Sequence, residues 1–202
     1  NFPGLFTYDQ GVKFPIGDVA LWNGLIGSAG SKSFTFAAWI RPNNHDFSAD
    51  GRIFSFGNDD LTLFINTDSA NKGNIALQYF SSTSGGGAEV VQARTPVGSL
   101  RGEFSSFKNR WIHVAVTANL QGTDIRPTNI LNSSTDSIFG GQRVKFYING
   151  EKQTTIDAST GSINTAGEFF GIIQDLGCFI ANNSAGNGAF GGNIADAAVW
   201  SV

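Results

Sequence analysis

Charge is scarce in this 202-residue sequence: Asp, Glu, Lys and Arg make up 14% of it, against about 25% in an ordinary soluble domain. A solvated helix needs Glu, Lys and Arg along its outer face, so the scarcity argues against helical bundles and coiled coils. Methionine is absent and cysteine occurs once, at Cys178. One thiol forms no internal disulfide, and within Leu176-Gly-Cys-Phe-Ile180 it reads as a small buried hydrophobe. A large core makes disulfides dispensable, so the compartment stays open on this count. No cluster of Lys and Arg occurs and the net charge is −3. That argues against nucleic acid and anionic membranes as partners, since both need a concentrated positive field. No apolar run reaches the length of a membrane span. A sequence that opens on Asn1 and holds no Met is expected to be a mature product or a piece of a longer chain.

What is abundant is glycine, phenylalanine and alternation. The 26 Gly and 18 Phe accompany short stretches of period two, the repeat of a strand with one buried face. Phe34, Phe36, Ala38 and Ile40 share one face of Phe34–Ile40. Similar runs are Arg52–Phe56, Leu61–Ile65, Ile75–Phe80, Glu89–Arg94, Trp111–Thr117, Val144–Ile148, Gly177–Ala181 and Ile194–Trp200. Turn formers separate them: Pro42-Asn-Asn, Gly57-Asn-Asp-Asp, Asn71-Lys-Gly-Asn, Ser84-Gly-Gly-Gly and Asn149-Gly150. Asn-Gly suits a type I′ hairpin because both residues tolerate positive φ, so Val144–Ile148 should fold back on the segment around Gln153–Ile156. Ile53-Phe-Ser-Phe56 and Cys178-Phe-Ile180 are apolar at successive positions, which predicts burial on both sides or a face covered by loops. The reading is an all-β, two-sheet sandwich of roughly a dozen strands forming one domain over 1–202. Ser81–Gly87 reads as a mobile tip. The long connection at about 118–143 exceeds an ordinary hairpin loop and reads as a surface elaboration.

Four stretches carry a family resemblance. Trp111-Ile-His-Val-Ala-Val-Thr117 followed by Val144-Lys-Phe-Tyr-Ile-Asn-Gly150 resembles the paired strands of the laminin G-like branch of the concanavalin A-like lectin/glucanase superfamily. Phe34–Pro42 resembles that family's early strand, and Phe190-Gly-Gly-Asn-Ile-Ala-Asp-Ala-Ala-Val-Trp200 its closing strand. They occur in family order. The resemblance implies an antiparallel jelly roll with its termini close together. This sequence departs from the pattern in the long connection between Thr117 and Val144, and in carrying Ala195 then Asp196 where relatives carry two acids.

Glucanases on this fold set two Glu and an Asp as Glu-x-Asp-x-Glu, so that alternation sends all three carboxylates to one face. Glu89, Glu103, Glu151 and Glu168 each stand without a second acid at i+2 or i+4, so no such triplet exists. His113 shares the parity of Trp111 and Ala115 and reads as a packed strand histidine. His45 has no second histidine nearby, which leaves zinc without ligands. Calcium has oxygen donors in two places. Asp59 and Asp60 fall where the resemblance implies a calcium-ligating Asp, and Asp46 to Asp50-Gly51 spaces oxygens like the start of a calcium loop. A polar turn, with Asn and Asp bonded to their own backbone, is the plain alternative for both. For a glycan, flat aromatic faces and planar amides are the expected partners, and Trp22, Asn43, Asn44, Asn182, Asn183 and Asn187 are the loop candidates. The expected function is a non-catalytic module that recognises a glycan or surface protein through its loop rim, in an extracellular or surface-exposed assembly. Two alternatives stand beside it: a self-associating structural or decoration domain of a fibre, virion or surface layer, and a polysaccharide hydrolase or lyase with a dispersed site.

Overall fold

The computed structural model describes residues 12–13, 33–42, 51–56, 61–66, 73–82, 88–100, 110–119, 143–158, 178–182, 186 and 188–201. Among these residues there is no helix. The strands are β1 (Val12–Lys13), β2 (Ser33–Pro42), β3 (Gly51–Phe56), β4 (Leu61–Asn66), β5 (Asn74–Ser82), β6 (Ala88–Arg94), β7 (Ile112–Asn119), β8 (Val144–Ile148), β9 (Glu151–Gln153), β10 (Ile156–Asp157), β11 (Cys178–Ile180) and β12 (Gly192–Ser201). They form two antiparallel sheets, one ordered β1-β11-β3-β4-β5-β6-β10 and the other β12-β2-β7-β8-β9. The architecture is a jelly-roll sandwich, with all nine period-two runs of the sequence present as strands.

Alternation builds the layer between the sheets. From the five-stranded sheet come Phe34, Phe36, Ala38 and Ile40 of β2, Ile112, Val114, Val116 and Ala118 of β7, and Val144, Phe146 and Ile148 of β8. Facing them, β3 to β6 contribute Phe54, Phe56, Leu61, Leu63, Ile65, Ile75, Leu77 and Ala93. Phe36 and Phe54 stack across the gap, with ring centroids 4.1 Å apart and planes 24° from parallel. Phe56 meets Phe54 edge-on at 5.3 Å. Each such ring, fully removed from water, contributes about 1.5–3 kcal/mol.

Two irregularities set which side chains face where. In β3 the register with β4 shifts between Arg52 and Phe54, so Ile53 and Phe54 both enter the core. The apolar run of β3 is thus explained by a bulge rather than by strict alternation. The side of β3 and β4 away from the core is covered as well: Ser55, Thr62 and Phe64 are buried, and Thr62 Oγ1 donates to Ser55 Oγ at 3.3 Å. Phe179 of β11 is buried beside Ser55, as two-sided apolarity predicts. The second irregularity lies in β12, where Ala195 pairs with Trp39 and Ala198 with Ala37.

The Asn-Gly hairpin forms, with Asn149 at φ 50° and Gly150 at φ 84°. The returning strand is β9, which begins directly at Glu151, earlier than the segment expected from sequence; Ile148 pairs with Glu151 and Phe146 with Gln153. Ser81 and Ser82 extend β5 rather than opening a loop, and Ala118 and Asn119 complete β7. The remainder of the Ser81–Gly87 tip and of the 118–143 connection, up to Arg143, lies outside the described residues.

Phe54→Ala is expected to destabilise the domain by about 3–5 kcal/mol, because it removes the ring that bridges the sheets; urea unfolding measures this directly. Gly150→Ala is expected to cost about 1–2 kcal/mol from left-handed backbone strain. A Cβ there meets nothing within 4 Å, so a larger loss of thermal stability would mean that the turn does more than reverse the chain.

Candidate functional site

The five-stranded sheet turns its second parity outward, and that parity is rich in aromatic residues. On β2 the outward positions are Thr35, Ala37, Trp39 and Arg41, since Phe34, Phe36, Ala38 and Ile40 fill the core. On β7 they are His113, Ala115, Thr117 and Asn119, and on β8 Lys145 and Tyr147, all partly exposed. Trp39, Trp111 and Trp200 are exposed by 40%, 43% and 51%. Isolated exposed apolar side chains are ordinary, whereas several large ones on one face mark an interaction surface.

Register assembles these residues into rows. Ala198, Ala37, Ala115, Tyr147 and Lys152 lie side by side across β12, β2, β7, β8 and β9. The first three are methyl groups only, so they form a low floor. One neighbouring row holds Ala195, Trp39 and His113; the other holds Trp200, Thr35, Thr117 and Lys145. Rows on one face are about 6.8 Å apart and strands about 4.8 Å. The face therefore carries a shallow trough floored by alanine, flanked by Trp39 with His113 on one side and Trp200 with the threonines on the other. Tyr147 and Lys152 stand at its β9 end.

The walls are fixed by specific contacts. Trp39 meets the His113 ring edge-on, with centroids 5.2 Å apart. The backbone around His113 is pinned to the hairpin turn: its N–H donates to Asn149 Oδ1 at 3.0 Å, and Asn149 N–H donates to the His113 carbonyl at 2.8 Å. Beyond His113, the Arg41 guanidinium lies 5.4 Å from the Trp111 ring centroid and donates from Nη2 to Asn193 Oδ1 at 3.2 Å. Gly192 sits where a Cβ would be driven into the Arg41 carbonyl, so glycine permits this close approach of β12 to β2. The bulge of β12 gives Asp196 φ 49° and leaves it exposed. The five strands of this sheet hold one other acid, Glu151 of β9, also exposed. At the β9 end, the Lys145 ammonium is held below its ordinary pKa, first by burial of its surroundings and then by the positive charge of Lys152.

Of the ligand residues expected from sequence, Asn182 is described. It is buried, and its Oδ1 accepts from the Gly188 N–H at 3.1 Å. Gly188 in turn accepts from the Arg52 N–H at 3.0 Å, so Asn182 closes its own loop against β3. Trp22, Asn43, Asn44, Asp46, Asp50, Asp59, Asp60, Asn183 and Asn187 lie outside the described residues. Among the described residues no group of three or more His, Cys, Asp and Glu is placed to hold a metal. Sequence reasoning passed over Trp39, Trp200, Tyr147, Arg41, Lys145 and Lys152. Their signal was parity, a large aromatic or a cation on the position opposite a strand's core set, and only register shows that they meet.

The second sheet's outer side is buried at Ser55, Thr62 and Phe64 and half-buried at Gln78, Gln92 and Arg52. Gln92 Nε2 donates to Gln78 Oε1 at 3.4 Å, and the Arg52 guanidinium lies 5.9 Å from the Phe64 centroid. The exposed face of the five-stranded sheet is therefore the candidate site.

A two-sheet antiparallel sandwich presenting an aromatic face defines a jelly-roll domain of lectin-like architecture. The sequence matches the laminin G model of the concanavalin A-like lectin/glucanases superfamily over residues 7–127, more than half its length, and the chain belongs to that family as a laminin G-like domain. No curated protein matches it. Among solved structures it is similar to the Ruminococcus gnavus IT-sialidase CBM40, at 16% identity and TM-score 0.49 over 83% of this chain and 75% of that one. It is also similar to domains LG4-5 of the mouse laminin α1 chain, at 11% identity and TM-score 0.44, covering 83% of this chain and 34% of that chain. A third is the receptor binding domain of botulinum neurotoxin mosaic serotype C/D, at 14% identity and TM-score 0.41, covering 84% and 33%.

Arg41→Ala is expected to cost no more than about 1 kcal/mol, the usual worth of an exposed cation–ring contact. It should also free Trp111, raising acrylamide quenching of tryptophan fluorescence while the thermal midpoint moves little.

Proposed function

We propose that this domain is a non-catalytic recognition module that binds a glycan on the outer face of its five-stranded sheet. The observation that carries the reading is the convergence of Trp39, Trp111 and Trp200, all exposed, on one face with an alanine floor between Trp39 and Trp200. A pyranose presents flat patches of C–H bonds, which suit the electron-rich face of an indole, and a rim of hydroxyls, which suits hydrogen-bonding groups such as His113, Thr35, Thr117 and Tyr147. Rigid strands hold these groups, so little ordering is required on binding. Hydrolysis of a glycoside by the usual route needs two carboxyl groups flanking the bond. Among the five strands of this sheet the carboxyl groups are Asp196 on β12 and Glu151 on β9, at opposite edges and about 19 Å apart by strand spacing, too far to flank one bond, which supports binding without turnover.

In this proposal the domain acts outside the cell or on a surface, where glycans are displayed. Calcium at Asp59 and Asp60, or at Asp46 and Asp50, belongs to the same proposal as a second support for ligand binding, together with the loop residues Asn183, Asn187, Asn43, Asn44 and Trp22. Loss of binding in EDTA, restored by added calcium, would identify it.

A printed glycan array tests the reading. The wild-type domain is expected to give discrete hits, and Trp39→Ala and Trp200→Ala are each expected to weaken them about tenfold or more, the loss that accompanies removal of one stacked aromatic. Circular dichroism should show both variants retaining the β spectrum. Hits that survive both substitutions would move the site away from this face.

A further inference from the structure

The sequence holds three Asn-Gly pairs, Asn23-Gly24, Asn149-Gly150 and Asn187-Gly188. In such a pair the glycine backbone nitrogen can attack the side-chain amide carbon before it, since glycine has no side chain to crowd the approach. Asn23-Gly24 lies outside the described residues, and the fold treats the other two glycines differently. The Gly188 N–H is held by Asn182 Oδ1 at 3.1 Å in a buried setting. Asn149 and Gly150 are both exposed, and among the described residues nothing accepts from the Gly150 N–H. A Cβ built on Gly150 meets nothing within 4 Å, so water and hydroxide reach this nitrogen freely. Asn149 Oδ1 in turn accepts from the His113 N–H at 3.0 Å. A fixed donor at that oxygen stabilises the negative charge that grows on it as Cγ is attacked.

We propose that Asn149-Gly150 is a site of spontaneous deamidation in the folded domain, with isoaspartate among its products. Rotation about the Cα–C bond of Asn149 swings the Gly150 nitrogen toward Cγ. The two bonds to His113 are made by the Asn149 N–H and side chain, and that rotation moves neither. What moves is Gly150 and β9, three mostly exposed residues at the sheet edge, where local opening costs little. The Gly150 nitrogen, deprotonated by hydroxide, forms a bond to Cγ. The Cγ–Nδ2 bond then breaks, and the amide leaves as ammonia with a proton taken from water. A second water opens the cyclic imide. Addition at Cγ breaks the new bond and gives aspartate at position 149; addition at the main-chain carbonyl carbon gives isoaspartate, in which the chain runs through Cγ. Isoaspartate adds a main-chain carbon to the turn and so breaks the pairing of Ile148 with Glu151. Because β9 carries Lys152 at the end of the trough, conversion remodels that end. This chemistry belongs to the turn itself and proceeds whether or not a glycan binds.

Peptide mapping by mass spectrometry tests this on the whole domain, held at physiological temperature in neutral and mildly alkaline buffer. The peptide containing Asn149 should exchange the mass of NH2 for that of OH, and electron-transfer fragmentation should show isoaspartate beside aspartate. Conversion at Asn149 is expected to outpace that at Asn187 by about tenfold or more, the factor that one hydrogen bond on the Gly188 N–H puts on a rate. In urea, where that bond is absent, the two pairs should react alike. The rate should rise about tenfold per pH unit, because the attacking species is the deprotonated amide and stays scarce. The titratable neighbours of the turn are His113, Tyr147, Glu151 and Lys152. Gly150→Ala should slow conversion several-fold at Asn149 and leave Asn187 unchanged. The deamidated fraction, separated by ion exchange, should melt about 2–4 °C below wild type, the shift that losing about one hydrogen bond produces in a chain of this length. Asn149→Asp, which adds the charge without lengthening the chain, should melt close to wild type.

Asn149 left intact in the folded domain, under conditions that convert it in urea, would overturn the inference. Conversion at Asn187 as fast as at Asn149 in the folded domain would overturn it as well, because the free Gly150 N–H would then confer nothing. A rate independent of pH would replace attack by the deprotonated amide with another route and overturn it too. A deamidated fraction that melts with wild type would show the hairpin unopened and remove the structural consequence. Should Gly150→Ala fail to fold, the comparison of Asn149 with Asn187 in wild type decides alone.

Discussion

The stacking of Phe36 on Phe54 is the contact on which the rest of the molecule depends. It joins the second strand of one sheet to the third strand of the other, and both rings are removed from water. Because a strand has only two faces, committing Phe36 to the interior commits Ala37 and Trp39 to the exterior. A slip of one residue would bury Trp39 and Arg41 and expose Phe34 and Phe36, a change that the apolar inner layer forbids. The outer aromatic face is therefore a consequence of how the core is filled, although its composition is free to vary.

Bulges modify that rule in both sheets. In β3 the extra residue lets Ile53 and Phe54 enter the core together. In β12 it lets Ala195 and Asp196 sit on the outer side in succession before Ala197 and Val199 pack against the core again. A bulge also twists the strand that carries it, which suits β12 because it forms an edge of its sheet and is ten residues long. Long flat edges invite pairing with other chains, and the irregularity discourages it. The same local feature that exposes Asp196 protects the edge beside it.

Much of the fold could be read from particular residues. The alternation at Phe34–Ile40, Leu61–Ile65, Trp111–Thr117 and Val144–Ile148 identified strands and their buried faces, because a half-buried strand has to alternate. Asn149-Gly150 identified a hairpin, because few other pairs accept positive φ at both positions. The short β1 and β10 carried no such signal: two residues are too few to show a period. The site was less legible. Trp39 and Trp200 lie far apart in the chain and share one face, on either side of the alanine row, because β12 pairs with β2. No local pattern encodes that pairing. Asn182, which as a loop amide looked suited to a ligand, instead satisfies the Gly188 N–H, since a buried loop must find partners for its own backbone.

Sequence alone determined the all-β class, the position of most strands, the hairpin turn and the membership of a lectin-like family, since each follows from local periodicity, turn chemistry or short motifs. Tertiary structure alone decided which outward residues become neighbours and that tryptophans and lysines share one open face. The physical reason is that side-chain direction is a property of each strand, whereas adjacency across a sheet is a property of long-range pairing between strands.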